Sequence, residues 1–152
     1  MRYEQTRTIL QRLAPEYHRT VSRYYQELAD GEVSPRVRLM LDYLIDHEQH
    51  RALALGEFCR EASPHILDHW FKGVEINFPE AEADILDDAA RTDLDQLIKA
   101  AVIYKSRLIG YFVYLHDNCS EKQTTDLFLT WKNQEEKAMK RMVRYAQGLA
   151  DL

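Results

Sequence analysis

His47 and His50 stand one helical turn apart in DHEQHRALAL, a spacing that sets two imidazoles on one helix face, where together they can chelate one ion. Such pairs arise often by chance, so this one gains meaning only where His18 or Glu135 converges on the same point. His65 and His69 form a second pair, spaced i and i+4 beside Asp68, that could hold zinc at a surface; a solvated helix face is the plainer reading. Cys59 and Cys119 lie far apart and in no CxxC pair, which excludes a zinc ribbon or a thioredoxin-type motif and leaves two buried free thiols.

Composition narrows the classes. The 152 residues suit one domain, here 1–152, with 45% hydrophobic and 30% charged residues and few Gly or Pro. A formal net charge of −5 gives no basic footprint for DNA or RNA. The start, MRYEQTRTIL, has charges and no continuous apolar run, so it reads as neither a signal peptide nor a membrane span, and a cytoplasmic protein is expected.

Four amphipathic segments must position these side chains. The first runs from about Tyr3 to Asp30 with Leu10, Leu13, Tyr17, Val21, Tyr24 and Leu28 on one stripe, ends at Gly31, and should kink or restart at Pro15. Ser34-Pro35 caps the second, whose stripe reads Val37, Met40, Tyr43, His47, His50, Ala54 and Phe58 to an end near Ala62. Thr92 with Asp95 opens the third, carrying Leu94, Leu97, Ala101, Tyr104, Leu108, Tyr111 and Leu115. Ser120 with Gln123 opens the fourth, with Phe128, Trp131, Glu135, Ala138, Met142, Tyr145 and Leu149.

The links are short, long, short. Ser63 to about Arg91 is the long one, with one short helix expected around His65 to Phe71 and a run of acids from Glu80. An all-α four-helix bundle with a long crossover between helices 2 and 3 is the topology this order predicts, which is that of ferritin-like folds.

The strings YYQELADG, LDYLIDHEQHRALAL and TWKNQEEKAMKRM resemble the rubrerythrin branch of the ferritin-like superfamily, across all four helices. In such families each half of the bundle gives one glutamate from its first helix and a Glu-x-x-His pair from its second, and these hold two iron or manganese ions. Carried over, the first-helix slot falls on His18, the second-helix pair on His47 and His50, and the third-helix slot near Tyr104. The fourth-helix pair falls on Glu135 and Ala138, or on Gln134 and Lys137 in the neighbouring register.

The resemblance thus implies a bundle that has lost most bridging carboxylates and with them standard di-iron oxidase or peroxidase activity. What remains, His18, His47, His50 and Glu135, offers a single transition-metal site for iron, zinc or manganese, lined by Tyr104, Gln134 and Lys137. The competing reading has no ion at all, with the histidines as core residues bonded to Tyr104, Tyr25 or Gln134. Two further functions stay open: a non-enzymatic helical interaction module, expected as a homodimer, and a di-metal oxidase using Glu16, Glu48 or Glu136. For the module, the acidic crossover from Glu80 to Asp95, a solvated surface on its plainer reading, could dock a partner or a second subunit together with its flanking Phe71, Val74, Ile76 and Phe78.

Overall fold

A computed structural model of the chain describes residues 3–71 and 77–152, and every regular element in those residues is helical. Four long helices dominate: α1 (Ala14–Ala29), α2 (Pro35–Glu61), α3 (Leu94–Asp117) and α4 (Lys122–Ala150). Short turns join α1 to α2 and α3 to α4, so each pair packs side by side. The two pairs meet over one core that includes Leu10, Val21, Met40, Leu44, Leu55, Leu97, Leu108, Phe112, Phe128 and Met142.

The caps follow local chemistry. Ser34 Oγ accepts from the Val37 N–H at 3.4 Å with Pro35 at the first helical position, as its sequence predicts. The two later caps sit one residue beyond the expected Thr92 and Ser120. The Asp93 carboxylate accepts from the N–H groups of Asp95 and Gln96, and that of Glu121 from those of Gln123 and Thr124. Carboxylates win these positions because they complement the helix dipole as well as the free N–H groups.

Pro15 leaves its mark upstream. A π-helical turn at Ile9–Leu13 carries the preceding helical turn Thr6–Thr8 into α1, and Ala14 donates its N–H to the Ile9 carbonyl. Proline has no N–H and its ring crowds the carbonyl four residues back, so one wider turn absorbs both without breaking the run.

The long connection is held to the core at several points. A helical turn at Pro64–Leu67 is shorter than the segment expected around His65 to Phe71. The chain entering the first helix pairs with it, Thr6 donating to the His69 carbonyl and Phe71 to that of Glu4. Further on, Tyr104 donates its hydroxyl to the Glu82 carbonyl at 2.8 Å. The Arg91 guanidinium lies over Gly31, where an added Cβ would come within 2.6 Å of it, and bonds the Leu28 carbonyl at the end of α1.

Of the expected docking surface, Phe71 is buried and Phe78 packs edge-on against Tyr17 and Tyr111, so both serve the chain's own core. Val74 and Ile76 lie outside the described residues. No helix among the described residues is long and apolar enough to cross a membrane.

Candidate functional site

At the level where the four helices converge, each sends one ionisable side chain inward. His18 comes from α1, Glu48 from α2, Lys105 from α3 and Glu135 from α4, and none is more than 2% exposed. Their contacts close a ring. Lys105 Nζ donates to Glu135 Oε2 at 2.9 Å and stands 3.0 Å from Glu48 Oε1. On the opposite side His18 Nδ1 bonds Glu48 Oε2 at 2.5 Å, and its Nε2 lies 3.5 Å from Glu135 Oε1, an ion-pair separation without a directed hydrogen bond.

Arg51, one turn beyond Glu48 on α2, completes the set. Its Nε donates to Glu135 Oε1 at 2.8 Å, both terminal nitrogens reach Gln134 Oε1 at 3.3 Å, and the guanidinium rests 5.0 Å from the Trp131 ring centroid. Every oxygen of the two carboxylates therefore has a cationic or imidazole partner. This matters because an unpaired buried charge costs several kcal/mol, on the order of 3 to 5 when one partner is lost.

The electrostatics follow from that pairing. Burial works against the ionised form of Glu48, but Lys105 and His18 overcome it and hold its pKa down at about 2. Glu135 is likewise drawn well below the carboxylate range, against its burial, by Lys105, His18 and Arg51. Burial opposes charge on His18 and Lys105 too, yet both are raised by the flanking carboxylates. Two carboxylates are thus matched by the lysine and the arginine, with His18 inclined to carry a further proton.

The expected ligands are placed differently. His18 and Glu135 do face the centre and approach each other. His50 does not: its side chain is 70% exposed and its Nδ1 contacts the Asp46 carbonyl within its own helix. His47 lies off the ring, stacked on Tyr43 with the planes 5° apart, and its Nε2 is buried without a hydrogen-bond partner. Burial and the nearby Lys105 push its pKa down to about 4, so it is neutral at pH 7. The inward residue of α2 is Glu48, and the helix is rotated by one residue from the reading that placed His47 and His50 together.

Tyr104 is buried but turns away from the ring, packing edge-on against Tyr25 and accepting the Tyr17 hydroxyl at its carbonyl. Gln134 sits at the rim through Arg51, and Lys137 is exposed, so the register with Glu135 and Ala138 inward is the observed one. His18 bonds Glu48 rather than Tyr104, Tyr25 or Gln134. Glu16 is exposed and Glu136 pairs with Lys132, which leaves Glu48 alone of those three in the core.

The remaining candidates stay apart. His65 contacts Glu121 at 3.4 Å, while His69 faces Cys119 Sγ at 3.6 Å. Cys59 is buried and Cys119 only half-buried, both unpaired with each other. Among the described residues no group of three or more His, Cys, Asp or Glu side chains is arranged to hold a metal ion. A cavity of about 690 Å³ between α1 and the crossover is lined by none of the ring residues. Compared with known proteins, the chain matches no family model, no curated sequence and no solved structure.

Proposed function

We propose that the chain is a ferritin-like bundle that works without metal, in which protein-borne cations stand where related folds hold two metal ions. One observation carries this reading: Lys105 Nζ sits within 3.0 Å of both Glu48 and Glu135. With α2 rotated by one residue from the register first carried over, its slot moves from His47 and His50 to Glu48 and Arg51, while the slot on α4 stays on Glu135 and Ala138. Both histidine positions are lost and both helix-centre glutamates kept.

A divalent ion and this donor set do not fit together. An ion bound to the same oxygens would stand about 3 Å from the ammonium, a repulsion of roughly 10 kcal/mol even at an effective dielectric constant of 20. His18 is committed to Glu48, and neither His47 nor His50 reaches the centre. A bundle of this kind acts through its surfaces and not through oxygen chemistry, which makes a non-enzymatic helical interaction module the function supported best. Homodimerisation is the simplest form of it, and sedimentation equilibrium reads that directly.

The test is elemental analysis of protein purified without a histidine tag, before and after incubation with ferrous iron, manganese and zinc. Far less than one ion per chain is expected under every condition. One or two tightly held ions per chain would return the site to metal chemistry.

A further inference from the structure

Between α2 and α4 a groove of about 290 Å³ is lined by Tyr43, His47, Arg51, Gln134, Ala138 and Arg141. None of these is acidic, although the chain as a whole carries a formal charge of −5. Ala138 makes a small floor, and stacked rings make one wall, with Tyr43 against Tyr145 at 4.5 Å between centroids and against His47 at 6.3 Å. The Glu135 carboxylate beneath Arg51 is already engaged by that arginine and by Lys105.

Donors face this space with their needs unmet. Arg51 spends its Nε on Glu135 and makes only long contacts from its terminal nitrogens to one Gln134 oxygen, which leaves further N–H groups of its five on the outer edge. Its plane is fixed over Trp131, so the fork is preorganised. Arg141 is exposed on α4 and pairs with no carboxylate among the described residues. His47 lines the same wall, with its Nε2 closed off from solvent and without a hydrogen-bond partner.

We propose that this groove is a binding site for a small oxyanion, a phosphate or carboxylate group held between Arg141 and the outer edge of Arg51, with Gln134 donating to it. Guanidinium forks match both groups through paired N–H donors. The size points to a free small anion or the anionic end of a small molecule, since 290 Å³ is near the lower bound of roughly 300 Å³ for ligand pockets. Arg51 touches the ring through Glu135, so an occupied groove reports on the charge cluster beneath it. The site does not depend on whether the ring excludes metal, and its failure would leave that reading untouched.

The experiment is calorimetric titration of the full chain with inorganic phosphate, and separately with succinate, in a buffer of neither anion at pH 7. Saturable binding is expected for at least one, weakened at least tenfold in Arg141→Gln and unchanged in Arg144→Gln, whose side chain lines a different depression beside Val102 and Met139. The same titration followed by nitrogen NMR should move the Arg51 guanidinium signals. Tighter phosphate binding assigns a phosphoryl ligand and tighter succinate binding a carboxylate. No saturable binding of either, or Arg141→Gln binding like the unaltered chain, overturns the proposal.

Discussion

Lys105→Met removes the cation that joins the two buried carboxylates while keeping a side chain of similar length. Glu48 and Glu135 then face each other across the core with only His18 and Arg51 to answer them. Truncating one member of a buried ion pair costs about 3 to 5 kcal/mol, because the partner stays desolvated and uncompensated. At about 2 to 4 °C per kcal/mol for a chain of this size, the midpoint should fall by roughly 6 to 20 °C. Urea unfolding at pH 7 measures the loss, and Glu48→Gln supplies the second edge of a double-mutant cycle. Residues in one network couple by about 0.5 to 3 kcal/mol, so the double variant should be more stable than the sum of the single losses implies. A Lys105→Met chain within about 1 kcal/mol of the original, or strict additivity with Glu48→Gln, would refute the ring as a linked unit.

Other outcomes follow from the same geometry. Glu48 titrates at about 2, below the ordinary 4.5, so its contribution of about 3 kcal/mol is present above pH 4.5 and lost as the pH falls toward 2; Glu48→Gln should flatten that limb of the stability curve. His47 titrates at about 4, below 6.5, so the unfolded chain takes up the proton first and stability declines between pH 6.5 and 4; His47→Gln should remove that decline, by up to about 3 kcal/mol in unfolding measured at pH 4.5. His18 is raised and acts in the opposite sense, its contribution being complete below pH 6.5 and lost as the pH rises through its folded-state value. Ser34→Ala should cost about 1 kcal/mol by uncapping α2, a thermal shift with no effect on the ring. Lys105→Glu should gain zinc or manganese in elemental analysis where the unaltered chain holds little.

The four long helices were legible because apolar spacing and capping chemistry agree at Ser34-Pro35 and along the stripe from Leu97 to Leu115, while the caps of α3 and α4 lie one residue beyond Thr92 and Ser120. The site was legible on α4, where Phe128, Trp131 and Met142 bracket Glu135 on a clear stripe. On α2 the same reasoning drifted. Charged residues are taken to face water, so the stripe follows the aromatic Tyr43 to His47 and His50, and Glu48 enters only as a ligand of the di-metal alternative. Leu41, Leu44, Glu48, Leu55 and Cys59 are the inward set, and a charge standing at the core spacing of its neighbours was the available signal. Lys105 was missed for the same reason, beside the conspicuous Tyr104. Each charge alone looks wrong for a core, and only the opposite signs brought together by the tertiary fold make burial tolerable.

The ionisation state of the two glutamates tests the ring most directly. Carbon-13 NMR of the side-chain carboxyl groups, followed from pH 8 down to 4, should show Glu48 and Glu135 ionised and flat across the whole range in the unaltered chain. Either carboxyl taking up a proton above its ordinary value of 4.5 would mean that Lys105 and His18 do not hold the pair charged, and the account of the core would fail.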